Sequence, residues 1–227
     1  MYAKYFKRAI DIFCALAAII VFSWLYIIVA VLVRVKLGSP IIFKQPRPGK
    51  DEKIFTLYKF RTMTDARDPE GNLLPDDVRL TKFGKLLRST SLDELPEAFN
   101  ILFGDMSVVG PRPQLVRDMV FMSDYHRTRH TVRPGLSGLA QVKGRNGITW
   151  EEKLDYDIEY IDKITFLTDA KLVFLTVWTA FFKREGISQE GMDTAEDYGD
   201  YLLNKGEVER DYYDEKQAKA KELMEVK

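Results

Sequence analysis

The chain of 227 residues has little with which to staple itself or hold a metal. It contains one cysteine, Cys14, and two histidines, His126 and His130. A single thiol excludes a disulfide framework and a multi-cysteine zinc site, and agrees with a reducing compartment. The histidines have the i,i+4 spacing of helical metal ligands, but Arg127-Thr128-Arg129 lies between them, without the glutamate of an HExxH site. Net charge is absent as well, with 34 basic against 34 acidic side chains, which argues against a nucleic-acid partner. No GxxxxGK[ST], GxSxG or GxGxxG occurs, so P-loop, α/β-hydrolase and dinucleotide-binding chemistries lack their signatures. Internal repeats are missing too.

What is present is unevenly distributed. Residues 187–227 hold 12 acidic and 6 basic side chains, which leaves the rest of the chain positive by six. From Ile12 to Val33, 22 consecutive residues have no formal charge, no proline and no glycine. A helix of that length covers roughly 33 Å, close to the ~30 Å hydrocarbon core of a bilayer. The run is longer than a signal-peptide core, and no small-x-small cleavage site lies directly before Arg34. Lys4, Lys7 and Arg8 come before it and Arg34, Lys36 and Lys44 after it, so the positive-inside tendency draws both ends to the cytoplasmic face. A straight span satisfies only one end and is the alternative; a helix that enters and returns, breaking near Ser23-Trp24, satisfies both. We therefore expect a membrane-inserted, re-entrant helix over residues 1–38, a body over 39–186 and an acidic tail over 187–227.

Ile41-Ile42-Phe43 and Lys53–Phe60 read as strands around a Pro46-Arg47-Pro48-Gly49 turn, a small β-hairpin. Residues 64–79 read as a loop. Leu80, Phe83, Leu86 and Leu87, with Lys82, Lys85 and Arg88 on other positions, predict a short basic amphipathic helix, either a solvated face or one suited to a membrane surface. Further helices are expected over 114–128 and 150–163. Asp169–Arg184 is strongly apolar but short for a span, hence a core or interfacial helix. The fold class is α+β, mainly helical.

Three stretches bear chemistry. In Arg88-Ser89-Thr90-Ser91-Leu92-Asp93-Glu94-Leu95-Pro96-Glu97, adjacent carboxylates offer a nucleophile or a metal ligand with a helper. Ser91-x-x-Glu94 is also a capping box, which needs no function. Pro96 opposes that box, because a helix capped by Ser91 would lose a hydrogen bond there, so the helix must start irregularly or later. In Gly104–Pro113, Pro111 and Pro113 restrict the backbone around Arg112, whose guanidinium suits phosphate. In Arg133–Gly138 and Gln141–Gly147, glycines beside basic residues suit a phosphate-cradling loop.

Together these stretches resemble the bacterial sugar transferase family, the monotopic polyprenyl-phosphate phosphoglycosyl transferases. The resemblance lies in Lys7–Asp11, Gln45–Gly49, Tyr58–Met63, Arg88–Pro96, Gly104–Pro113 and Arg133–Val142, with Gly144-Arg145-Asn146 beyond, in order over residues 1 to about 185. The length is similar to the small members that transfer a bacillosamine-type phosphosugar. The resemblance implies a two-step exchange. The Asp93 carboxylate attacks the β-phosphorus of a UDP-sugar and expels UMP; a polyprenyl phosphate, such as undecaprenyl phosphate, then takes the phosphosugar. It implies Asp93 as nucleophile and Mg²⁺ ligand and Glu94 as its partner. It also implies Lys59, Arg88, Pro111, Arg112 and Arg145 at the substrate, with Asp157 and Asp169 as further acidic positions. Further implications are a bacterial inner membrane location with the catalytic body facing the cytoplasm, contact with membrane lipids, and homo-oligomers or downstream glycosyltransferases as partners. An inactive assembly protein of the same fold and a nucleotide-sugar hydrolase are the alternatives. The intact acidic and basic positions oppose the first, and the membrane segment opposes the second. One departure stands out: the family's membrane segment turns at Ser-Pro, where this chain has Ser23-Trp24.

Overall fold

A computed structural model describes residues 1–144, 147–182 and 196–225. The uncharged run does not form one rod. A π-helical turn, Tyr2–Phe6, leads into α1 (Lys7–Val21), and α2 (Ser23–Leu37) departs across Phe22 with a bend of 64°. Among the described residues no single helix is long and apolar enough to cross a membrane, but the bent pair together has the length and composition. The break falls one residue before Ser23 and uses no proline. Phe22 leaves helical geometry at φ −97°, ψ 12°, and the ladder restarts where Tyr26 N–H donates to its carbonyl at 3.0 Å.

Different parts of the body hold the two arms. On α1, buried Asp11 accepts from the Ser107 hydroxyl (3.0 Å) and the Val108 amide (2.9 Å), and Ala15 packs with Leu57, Ile101 and Met106. On α2, Val29, Val33 and Leu37 pack on Phe60 and Leu87. Packing that fixes each arm separately replaces what a proline does locally. The outer faces stay apolar and open, with Phe13, Ile20, Trp24, Ile27 and Val35 all exposed.

The hairpin pairs β1 (Ile42–Pro48) with β2 (Ile54–Phe60), antiparallel, from Ile42↔Phe60 to Pro48↔Ile54. The turn expected at 46–49 is strand instead, and the chain reverses later, between Gly49 and Lys53, with Asp51 and Glu52 at φ 55° and 59°. The reason lies in the register. Gly49 N–H donates to Lys53 O and Arg61 N–H to Ile41 O, both at 2.9 Å, which makes the odd-numbered residues of β1 the hydrogen-bonded ones. Pro46 and Pro48 fall between them, where a strand needs no N–H.

The polar segment after β2 ends in α3 (Asp76–Arg79), and α4 (Lys82–Ser89) is the basic amphipathic helix, capped by Thr81 accepting from Gly84 N–H at 3.1 Å. Then come α5 (Glu97–Phe103) and β3 (Ser107–Val109), which pairs in parallel with β4 (Gly135–Ser137). Asn100 of α5 lends β2 a substitute neighbour: it accepts from Tyr58 N–H (3.0 Å) and donates to Thr56 O (2.7 Å).

The single helix expected over 114–128 is two short ones, α6 (Val116–Met119) and α7 (Asp124–Arg127), because Ser123 caps a fresh start by accepting from His126 N–H at 3.3 Å. After α8 (Leu139–Lys143) follow α9 (Trp150–Asp162), opened by a Thr149/Glu152 capping box, and α10 (Phe166–Phe182), with Phe174, Val177 and Trp178 exposed. The described part of the acidic tail forms α11 (Tyr198–Asn204) and α12 (Arg210–Glu225). Tyr198, Leu202 and Ala220 from these helices share one core with Val116, Met119, Phe121, Trp150 and Leu154 of the body.

Candidate active site

Ser91 adopts a left-handed conformation, φ 54°, ψ 20°, which ends the α4 direction and starts a single 3-10 turn, Leu92–Glu94. The capping box does not form. Ser91 makes no capping hydrogen bond, and the next helix begins at Glu97, directly after Pro96. Leu92 and Leu95 anchor the turn in the core beneath α2, and the Tyr26 hydroxyl donates to Leu95 O at 2.5 Å. A side chain of α2 thus holds the backbone beside the carboxylate pair.

The two adjacent acids meet opposite surroundings. Glu94 Oε1 takes Lys59 Nζ of β2 at 2.8 Å and Arg112 Nη2 at 2.7 Å. Asp93 is buried, yet among the described residues no hydrogen bond or ion pair holds its carboxylate. Burial, then the charge of Glu94, pushes Asp93 up to about 6, against the pull of Lys59, Arg88 and Arg112. A helix dipole alone would have held it lower. Burial also works against ionised Glu94, but Arg112 and Lys59 outweigh it and keep that carboxyl well below its ordinary range. Arg112 is correspondingly held above its ordinary value by Glu94.

Each basic side chain is positioned by its own support. Around Arg112, Pro111 O accepts from Gly135 N–H (2.9 Å), Arg112 O from Arg129 Nη2 (2.5 Å) and Pro113 O from Arg47 Nη1 (3.1 Å), so three consecutive carbonyls are tied down. Arg129 is in turn held by Asp157, whose Oδ2 accepts from Nε at 2.9 Å and Nη2 at 2.6 Å in a fully buried pair. Arg88, at the end of α4, donates to Thr62 Oγ1 at 3.1 Å. The helix lies that close because residue 84 is glycine; a Cβ there would stand 1.9 Å from Thr62 O.

Of the residues singled out in the sequence, Lys59, Arg88, Asp93, Glu94 and Arg112 come together, with Pro111 shaping the Arg112 backbone. Asp157 stands one layer behind, through Arg129. Asp169 belongs to another network: it accepts from Tyr2 Oη (2.8 Å), Lys7 Nζ (2.5 Å) and Tyr160 Oη (2.8 Å), tying the chain start to α9 and α10. Arg145 lies outside the described residues. The histidines do not converge, since His126 Nε2 meets Asp155 at 3.1 Å and His130 Nδ1 faces Arg127 O at 3.2 Å. Sequence reasoning passed over Glu97, Arg129 and Tyr26. Only Glu97 left a trace there, as the third acid within five residues.

The sequence model of the bacterial sugar transferase family matches residues 2–183. An uncharacterized sugar transferase, EpsL, of Bacillus subtilis (strain 168) is 48% identical over 190 residues, 84% of this chain and 94% of that protein. The UDP-glucose:undecaprenyl-phosphate glucose-1-phosphate transferase of Klebsiella pneumoniae is 41% identical over 189 residues, 79% of this chain but 41% of that enzyme. The exopolysaccharide production protein PSS of Rhizobium leguminosarum bv. phaseoli is 37% identical over 195 residues, 79% of this chain and 97% of that protein. With a match over most of its length, this chain belongs to the bacterial sugar transferase family.

Proposed function

We propose that the chain transfers a sugar 1-phosphate from a UDP-sugar to a polyprenyl phosphate, undecaprenyl phosphate in bacteria, as the first membrane step of glycoconjugate assembly. The Klebsiella relative, by its name, uses a donor and acceptor of these classes. The observation that carries the reading is the division of labour between neighbouring acids. Glu94 is neutralised by Lys59 and Arg112, whereas Asp93 is buried, uncommitted and ionised above about pH 6.

An uncommitted carboxylate beside cations is a competent nucleophile for a phosphorus centre. Asp93 Oδ forms a bond to the β-phosphorus, the bond from that phosphorus to the bridging oxygen breaks, and UMP leaves with the electron pair. In the second step a phosphate oxygen of the lipid attacks the same phosphorus and returns Asp93 to its carboxylate form. Lys59, Arg88 and Arg112 supply positive charge where phosphate oxygens gather. The donor set also fits Mg²⁺. Such an ion takes one or two carboxylates and completes its shell with substrate phosphate and water, and Asp93 is the free carboxylate here. Among the described residues no group of three His, Cys, Asp or Glu could enclose an ion by itself, so the diphosphate would share in holding it. Bound there, Mg²⁺ supplies charge neutralisation at the diphosphate.

The same reading puts the bent α1–α2 pair into the cytoplasmic leaflet of the bacterial inner membrane and returns it, with the body on the cytoplasmic face. The exposed apolar faces of this pair and of α10 support that placement. The test is UMP release from a panel of UDP-sugars with undecaprenyl phosphate in detergent micelles. Asp93→Asn should abolish it, and wild-type protein given donor alone should show the mass of a phosphosugar on the peptide containing Asp93. Near wild-type turnover by Asp93→Asn would end the covalent reading.

A further inference from the structure

One carboxylate in the cluster has no part in the reaction just described. Glu97 is buried at the start of α5, and its Oε1 stands 3.0 Å from Lys59 Nζ, the ammonium that also contacts Glu94 Oε1 at 2.8 Å. One cation therefore serves two carboxylates, Glu97 buried and Glu94 partly so, and their dependence on it is unequal. Glu94 keeps Arg112 if Lys59 turns away, whereas Glu97 has no second ion-pair partner among the described residues. The charged groups facing Glu97 are Lys59 from β2, Glu94 from the 3-10 turn, Arg112 from the loop after β3 and, farther off, Arg47 from β1.

We propose that Glu97 is a positioning residue acting through Lys59: it takes up a proton as a nucleotide diphosphate binds beside Asp93, and so releases the ammonium to the phosphate. This rests on the phosphosugar-transfer reading and deepens it. A diphosphate brings two negative charges, and even with Mg²⁺ beside Asp93 its oxygens compete for Lys59 with Glu94 and ionised Glu97. Adding one proton to Glu97 removes one negative charge and frees a donor on Lys59 in the same event. Burial, opposed by Lys59, has already pushed Glu97 up to about 7, so the proton is gained at little cost near neutrality. Donor binding then raises the carboxyl further. Affinity is consequently greatest below the free-state value and weakens as pH rises above it, by at most ~10-fold per pH unit for one proton.

The test uses full-length Asp93→Asn protein, which binds donor without turnover and also removes the titration of Asp93. UDP-glucose, UDP-galactose and the UDP-N-acetylhexosamines are titrated calorimetrically between pH 6 and 8.5, in buffers of different ionisation enthalpy. We expect uptake of up to one proton near neutral pH and several-fold weaker binding from pH 7 to 8. Adding Glu97→Gln should remove both the uptake and the pH dependence. In the active enzyme, Glu97→Gln should flatten the alkaline rise of donor KM. Should the glutamine variant fail to fold, the parent decides: a protonated-carboxyl stretch must grow in its infrared spectrum when nucleotide binds. The same proton taken up without Glu97, or none taken up with it, overturns the proposal while leaving phosphosugar transfer standing. Wild-type protein that binds none of these nucleotides overturns both.

Discussion

Asp157→Asn separates support from contact. Asp157 and Arg129 are each almost wholly buried, and Arg129 donates two hydrogen bonds, 2.9 and 2.6 Å, to a single carboxylate oxygen. Asparagine keeps the volume and one acceptor but removes the charge. Arginine cannot shed its proton, so an unpaired guanidinium stays in the core. Breaking one side of such a pair costs ~3–5 kcal/mol, against a total stability on the order of 5–15 kcal/mol. For a chain of this size that is a fall of roughly 6–20 °C in the unfolding midpoint, measurable by circular dichroism in detergent micelles. The double variant Arg129→Met/Asp157→Leu, apolar throughout, should recover most of that loss. It should not recover activity, because Arg129 also holds the Arg112 carbonyl at 2.5 Å. The refuting result is Asp157→Asn protein that loses UMP release while its stability stays within ~1 kcal/mol of the parent. Asp157 would then act at the substrate rather than behind it.

Gly84→Ala, normally worth ~1 kcal/mol to a helix, should here cost ~1–3 kcal/mol and reduce UMP release. Its Cβ would meet Thr62 O at 1.9 Å and push away the helix that bears Arg88; an equally stable and active variant would contradict that packing. Trp24→Pro should leave the topology unchanged, since Trp24 is the second residue of α2, where a helix has no use for the N–H. Cysteines placed at Met1 and Lys36 should label from the same face in both proteins, and a change of face on adding proline would show that the bend depended on it. Ser91→Gly should leave stability unchanged or raise it by up to ~1 kcal/mol, because φ 54° strains any residue with a Cβ. A loss above ~1 kcal/mol by denaturant titration would mean that the serine side chain caps the turn after all.

Local pattern was sufficient wherever a property repeats along the chain. Hydrophobic spacing identified the apolar run, both hairpin strands, α4 and α9, because helix and strand periods are written in neighbouring residues. Proline placement foretold an irregular or late helix start, and a 3-10 turn indeed precedes the helix that begins at Glu97. Composition separated the acidic tail from the basic body, but not the fact that Tyr198 and Leu202 are buried against Val116 and Trp150. The charges at the two ends of the apolar run placed a break near Ser23-Trp24, one residue from Phe22, but not the 64° angle, which goes with anchoring the two arms to different elements. Pro46 and Pro48 read as a turn locally and become strand only once β2 sets the register. Above all, the sequence by itself singled out Asp93, Glu94, Lys59 and Arg112 as residue types, and the tertiary structure assigned their states. Lys59 and Arg112 lie 35 and 18 positions from Glu94, and Arg129 lies 28 from Asp157. Which carboxylate is neutralised, which is left without a partner and which shares its cation depends on burial and on charges a few ångströms away, and chain folding alone brings those charges together.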